Sequence, residues 1–504
     1  MNESGPSRDG GGHRRRAPRH RRPRLPRMSS SHPTPARRLA GRLDRAAAVV
    51  APDPDSRLEQ LWSIDYGRST IIAGALVMQS GDASRAMARV TRDAVLRTLL
   101  DLIDIRSPTG HEADMAGYIV QRLRRAGLDA APQPVEDGRP NAVAHWRGTG
   151  DGLNLLFTGH MDTSYSGDEP HLDGEGFRPK GIERDGWVWG LGANNMKSGL
   201  AGLIVAIEAI AQAGIELRGD VSLGAVVGEI EKAPVEEFQG RDYSGYGIGS
   251  KHLVSHGVTA DYALLAEPTA MRICTANMGC LWARITLRGG AMAHSALTNK
   301  PGTVNAISAM MPLVEAVEQW AARFRAENAF MGEQANVTLA CIRGGAPWRL
   351  SRNPQECSLY LDIRTVPGQT ADQVKRQLRR LLRQHAETHG VQEPALDFLV
   401  TDPALTLEQD LPIVEALSAA QAGLMGEASR PFLRRPGSDA IHLSRYDVPC
   451  VQFGPGGRLH PDAKGRSMHE IGDHVLLDDV VTASRIYLAT ALDLCNRPAV
   501  DAGR

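Results

Sequence analysis

At 504 residues the chain is long enough for two or three domains with sizeable cores. Its 58 basic and 58 acidic residues balance, which removes any general argument for nucleic acid as a partner. The best apolar run, Thr70 to Met78, falls short of the roughly eighteen residues a membrane span needs, so no membrane partner is expected. Six cysteines (Cys274, Cys280, Cys341, Cys357, Cys450 and Cys495) lack CxxC spacing. That argues against a thiolate zinc module or a dense disulfide framework, and it fits a reducing, cytoplasmic setting.

The charge balance hides an asymmetry. Residues 1–85 carry RRRAPRHRRPRLPR and ARRLAGRLDR, are rich in Arg, Pro, Gly and Ser, and lack sustained periodicity. They read as a basic, disordered extension. A nucleic-acid or lipid-binding arm, and an over-long gene start with Met28 or Met78 as initiator, stand beside that reading. No apolar segment follows the arginines as a twin-arginine export signal requires.

From about Arg89 the pattern is that of a packed domain. Val95, Leu99, Leu102 and Ile103 recur at helical spacing up to the turn Ser107-Pro108-Thr109-Gly110, and a second helix runs from Glu112 to Arg125. Ala142–Trp146 and Leu153–Phe157 read as strands. Ser198–Ala213 reads as a helix burying Leu200, Leu203, Ile204, Ile207 and Ile210. The continuous apolar runs Val221–Val227 and Tyr262–Ala266 suit central strands covered on both faces, so the order is α/β. Beyond Ile273 the order changes: strand Leu281–Leu287, helix Val304–Phe324, strands Ala335–Ile342 and Glu356–Arg364, helix Ala371–His385, strand Leu396–Val400. This βαββαβ order is ferredoxin-like. Helix Pro412–Leu424, strand Cys450–Phe453 and helix Asp479–Leu494 then return to α/β. The expected organisation is an α/β catalytic domain with a mixed central sheet, built from residues 86–275 and 394–504. A small α+β domain, residues 276–393, interrupts it.

Several polar residues fall at the ends of apolar strands: His160, Asp162, Glu229, Glu231 and Glu267, with Asn195 in a glycine-rich turn and His469 late in the chain. Open α/β sheets bind ligands at the carboxyl ends of their strands. His and carboxylates gathered there suggest a metal site, and the donor mixture suits zinc or another borderline divalent ion.

Ten motifs occur in order: SPTGHE, GHMDT, GLGANNMKSG, GEIE, AEPT, GGAMAHSA, LDIRTVPG, GSDA, GPG, and a late His with an acidic residue four positions on. As an ordered set they resemble the M20 metallopeptidase family over about residues 90–495. This is the amidohydrolase clan of acetylornithine deacetylase, succinyl-diaminopimelate desuccinylase, aminoacylase and glutamate carboxypeptidase. The resemblance implies a zinc-exopeptidase-like catalytic domain with two metals bridged by an Asp and a water. It also implies a lid domain that forms a homodimer and lends a His to the partner's site. By position, His160 and Glu267 correspond to ligands of one metal, His469 to a ligand of the other, and Asp162 to the partner of His160. Glu229 corresponds to the general base and His294 to the lid residue that polarises the scissile carbonyl. Asn353, Arg364, Gly437 and Ser438 correspond to substrate-binding positions. His460 rivals His469, which is preferred because Asp473, Val475 and Asp479 follow it in the family's register.

Two positions depart from the family. Asn195 stands where the bridging Asp is expected, and the usual Glu-Glu pair reads Glu229-Ile230-Glu231, so Glu231 reaches a metal only if the chain bulges locally. Two dications about 3.5 Å apart repel by roughly 19 kcal/mol at an effective dielectric of about 20, and bridging anions offset most of this. A neutral amide removes one such anion, so the second metal should be weakly held or absent. The implied activity is metal-assisted hydrolysis of a C–N bond, with Zn2+ favoured and Mn2+ or Co2+ as alternatives, one or two ions per chain. The expected substrate is an N-acyl amino acid or short peptide with a free carboxylate. Aminohydrolysis of an aromatic amine at a mononuclear site, and a non-catalytic binding role, are the competing classes.

Overall fold

The structure, a computed structural model, describes residues 81–499 apart from 232, 291–292, 298–302 and 464–465. The expected extension therefore lies outside the described residues as far as residue 80. Helix α1 (Gly81–Met87) already begins inside the span assigned to it.

Helices α2 (Arg92–Asp104) and α3 (Ala113–Arg125) form where the periodicity places them, α2 capped by the Thr91 hydroxyl. A mixed nine-stranded sheet follows. Its centre is β3 (Leu155–His160), which runs parallel to β6 (Val221–Val226) on one side and to β7 (Tyr262–Leu265) on the other; β17 (Cys450–Gln452) runs parallel to β7. These strands are buried along their whole length, which is why they read as unbroken apolar runs. The far edge is a hairpin of β1 (Asp129–Glu136) and β2 (Arg139–Trp146), with β2 antiparallel to β6. The sequence pattern does not reveal β1, whose segment DAAPQPVE holds two prolines and no apolar alternation. An outer strand tolerates missing N–H donors.

Helix α4 (Ser198–Ala213) packs on the sheet, and Gly199 allows its close approach: a Cβ there would sit 2.0 Å from the Ala266 carbonyl oxygen. The segment Ala193–Ala213 is long and apolar enough to cross a membrane, contrary to the expectation that no such run exists, but 83% of it is buried in the core. Its apolarity is that of a helix covered on both sides by α2 and α11 (Leu477–Leu494).

The inserted domain has the expected βαββαβ order: β9 (Gly279–Arg288), α6 (Ala306–Glu327), β12 (Asn336–Gly344), β13 (Glu356–Thr365), α7 (Ala371–His389) and β14 (Ala395–Asp402). The sheet order is β12-β13-β9-β14, entirely antiparallel, and its two helices cover one face over a second hydrophobic core. Because β14 pairs with β9 along Ala395–Asp402, the lid extends to residue 402 instead of ending at 393. Glu236 and Glu237, on an exposed loop, tie the catalytic domain to the lid: Glu237 accepts from Arg343 at 2.8 Å, and Glu236 pairs with Arg343, Arg284 and Tyr360.

Candidate metal centre

Three parallel strands deliver the site. His160 is the last residue of β3, Glu229 lies three residues beyond β6, and Glu267 two beyond β7. Their ligand atoms all lie within 4.8 Å of one another, and all three residues are buried. Among the described residues this is the group of His, Cys, Asp and Glu that fits a metal ion. Asn195 adds a neutral oxygen, its Oδ1 3.2 Å from His160 Nε2. The His160 imidazole, the Glu267 carboxylate and the amide oxygen suit a single borderline dication, with the Glu229 carboxylate beside them.

Asp162 orients the imidazole from behind. His160 Nδ1 lies 3.0 Å from the Asp162 carbonyl and 3.3 Å from its carboxylate, which leaves Nε2 to face the group. The Asp162 carboxylate also accepts the N–H groups of Glu229 at 3.1 Å and Ile230 at 3.0 Å, and the Thr109 hydroxyl at 2.7 Å. Burial opposes charge on Asp162, but the hydrogen bond and charge of His160 first, then the Ile230 N–H and the Thr109 hydroxyl, hold its pKa down at about 2. Burial opposes charge on His160, but Asp162, Glu229 and Glu267 outweigh it and raise its pKa to about 10. In protein stripped of metal, an entering cation must therefore displace the Nε2 proton. Metal binding at pH 7 should release about one proton, and apparent affinity should fall about tenfold per unit of pH below 10. Calorimetry in buffers of different ionisation enthalpy measures this. For stripped protein the folded pKa lies above the ordinary 6.5, so this histidine's stabilisation is full below about 6.5 and disappears as pH rises through about 10.

A second buried carboxylate, missed by the sequence reading although it ends the SPTGHE motif, holds the Glu229 loop from the other side. Glu112 Oε1 accepts the N–H groups of Gly110 at 3.0 Å and Gly228 at 3.1 Å, and Arg139 pairs with Glu112 at 2.8 Å with neither side chain exposed. Arg139→Met should destabilise the fold by about 3–5 kcal/mol, because it strands the Glu112 charge in the interior. Chemical denaturation of the variant checks this.

Glu231 does not join the group. The compact group is His160, Glu229 and Glu267; the two N–H bonds to Asp162 fix Glu229 and Ile230, and the Glu231 carbonyl accepts from Tyr246 N–H. Asn195 and Arg434 line an open cleft of about 600 Å³ beside the group, with Tyr165, Phe177, Phe432 and His469. His469 stands exposed on the single turn α10 (Met468–Ile471) and is not part of the compact group. Its rival His460 packs against Trp187 and Trp189 at 5.0 and 5.4 Å between ring centres and does not line the cleft. His474 is fully buried and accepts from His460 N–H.

The lid candidates lie off the cleft of their own chain. His294 is exposed. Asn353 is buried, and its Oδ1 has no partner among the described residues. Arg364 pairs with Asp362 at 2.8 Å and lies beside Gly437. Ser438 donates to Asn277 Oδ1 at 2.6 Å, a bond that braces its loop. Sequence reasoning also missed Arg434, at the end of β16 (Phe432–Arg434), whose Nη2 donates to Glu267 Oε2 at 2.9 Å.

The signature of Peptidase family M20/M25/M40 matches residues 156–493, which is more than half of the chain. The chain belongs to this family. Like other M20 proteins it is a metal-dependent amidohydrolase or peptidase. It is 25% identical over 416 residues to N-formyl-4-amino-5-aminomethyl-2-methylpyrimidine deformylase of Bacillus subtilis, covering 78% of this chain and 91% of that one. It is 26% identical over 423 residues to succinyl-diaminopimelate desuccinylase of Bordetella parapertussis, covering 80% and 99%. A dinuclear metal binding peptidase from the M20 family of Bacillus subtilis shares the fold with a TM-score of 0.54 at 14% identity, covering 80% and 98%.

Proposed function

We infer that this M20 protein hydrolyses the amide bond of an N-acyl amino acid or short peptide with a free carboxylate, at a centre that holds one divalent ion firmly. The gathering of His160, Glu229 and Glu267 at three neighbouring strand ends carries the reading. His160, Glu267 and the Asn195 amide oxygen would hold the ion, with His469 a weaker donor at the rim. Zinc suits these donors best, with Mn2+ or Co2+ as substitutes. When bound, the ion supplies Lewis acidity, lowering the pKa of water and polarising the carbonyl. Glu229 takes the proton from the attacking water and passes it to the leaving amine. Its loop is held by Asp162 and Glu112, so the carboxylate meets the water without reorganisation. Arginines 272, 434 and 435 on the cleft wall support an anionic substrate.

The lid residues His294 and Asn353 would meet the substrate from a second copy of the chain, His294 stabilising the oxyanion. Neither lines the cleft of its own chain, which supports a homodimer. So does the outer edge of β12, which among the described residues pairs only with β13; Trp348 and Leu350, a few residues after it, are 79% and 82% exposed. The free cysteines support a reducing, cytoplasmic location.

Aminohydrolysis of an aromatic amine is the second reading. It is favoured by Asn195 in place of the bridging Asp and by the aromatic lining of Tyr165, Phe177 and Phe432. Retention of Glu229 within the group counts against a non-catalytic binder. A panel of N-acetyl, N-succinyl and dipeptide substrates and arylamines, assayed with Zn2+, Mn2+ or Co2+, separates the three. Amine release from N-acyl or peptide substrates is expected. Ammonia from an arylamine would transfer the assignment to the second reading, and silence throughout would leave a binding protein.

A further inference from the structure

Arg434 enters the reading above only as one of three arginines on the cleft wall, yet among the described residues it is the cation paired with Glu267. It is 8% exposed, donates to Glu267 at 2.9 Å and to the Gly437 carbonyl at 2.9 Å, and lines the cleft with Asn195. Burying a guanidinium here is tolerable only against fixed negative charge. The neighbouring pair Glu112–Arg139 is already balanced and contributes no net charge. The remaining buried carboxylates at the site are Asp162, Glu229 and Glu267. Three negative charges are neutralised by Arg434 together with one dication, whereas two dications would leave an excess of two positive charges in a desolvated site.

We propose that Arg434 is a built-in cation of the metal centre: it takes one oxygen of Glu267 and limits the site to a single divalent ion. It supplies toward the cleft the positive charge that a second ion would otherwise bring. The neutral side chains Asn195 and Ile230 at the departing positions act in the same direction, since each leaves a second ion without an anionic ligand. This inference rests on the single-ion reading of the previous subsection.

Calorimetric titration of metal-stripped protein with Zn2+ or Co2+ tests it without reference to turnover. Wild type should bind one ion. Arg434→Met should bind the first ion roughly tenfold tighter or more, because a nearby positive charge has gone, and Arg434→Lys should stay near wild type. Arg434→Gln keeps a donor within reach of Glu267 and Gly437 while removing the charge. It should tighten binding like Met, and it serves if the Met variant does not fold. Unchanged or weaker affinity in both neutral variants would overturn the proposal and make Arg434 a positioning residue that aims Glu267 at the ion. Zero or two tight ions in the wild type would instead overturn the single-ion reading, whatever the variants do.

Discussion

Replacing Glu229 by Gln should leave the metal content of the protein unchanged and lower kcat by about 10³-fold or more. The substitution is nearly isosteric, and the loop that carries it is pinned by N–H bonds from Glu229 and Ile230 to Asp162 and from Gly228 to Glu112, none of which involves the Glu229 side chain. His160, Glu267 and Asn195 remain to hold the ion. What disappears is a base able to take a proton and return it to the amine. General acid–base catalysis of this type contributes about 10²–10⁴-fold, and losing both steps places the effect at the upper end. Metal analysis beside steady-state kinetics on the best substrate of the panel decides it. Near-normal turnover would remove Glu229 from the mechanism, and loss of the ion together with activity would make it a ligand.

Removing the metal is the second large effect. Dialysis against a chelator should abolish turnover, and one equivalent of Zn2+, Mn2+ or Co2+ per chain should restore it. The resemblance implies a second ion held by a bridging carboxylate, a second glutamate and a histidine, and here Asn195 and Ile230 occupy the two carboxylate places. The repulsion of about 19 kcal/mol between two close dications then lacks most of its compensation. His160→Ala should remove the tight ion as chelation does, because Asp162 fixes that imidazole with Nε2 toward Glu229 and Glu267. Activity that persists after complete metal removal, or that needs two equivalents to return, would contradict this account.

Some of the site was legible residue by residue. His160 and Asp162 share one face at the end of an apolar strand, so local geometry already pairs them. Glu229 and Glu267 follow apolar runs whose burial on both faces is visible as unbroken hydrophobicity, and such strands end at a common edge. Whether Glu231 reaches the group was not legible, because spacing along a loop does not say where its backbone turns. The hydrogen bonds of Ile230 and Tyr246 decide that, and both reach partners distant in sequence. Arg434 carried no signal, since an arginine before a turn looks the same whether it meets water or Glu267. Strand β1 was hidden by its prolines, and the small sheet of β4 (Ile182–Arg184), β5 (Trp187–Trp189) and β18 (His474–Leu476) by three-residue strands that hold too little pattern to read.

The amino-acid sequence by itself determined the family, the α/β domain interrupted by a βαββαβ lid, the strand-end residues of the centre and the two positions, Asn195 and Ile230, that depart from the family's pattern. Each is a matter of residue type and order, which periodicity and motif preserve. Only the tertiary structure decided that Glu112 and Arg139 brace the Glu229 loop, that Glu231 stays outside the group, that His469 and not His460 borders the cleft, and that Arg434 shares Glu267. Those are contacts between segments tens to hundreds of residues apart. Their energies depend on distance and burial, which no local pattern in the chain records.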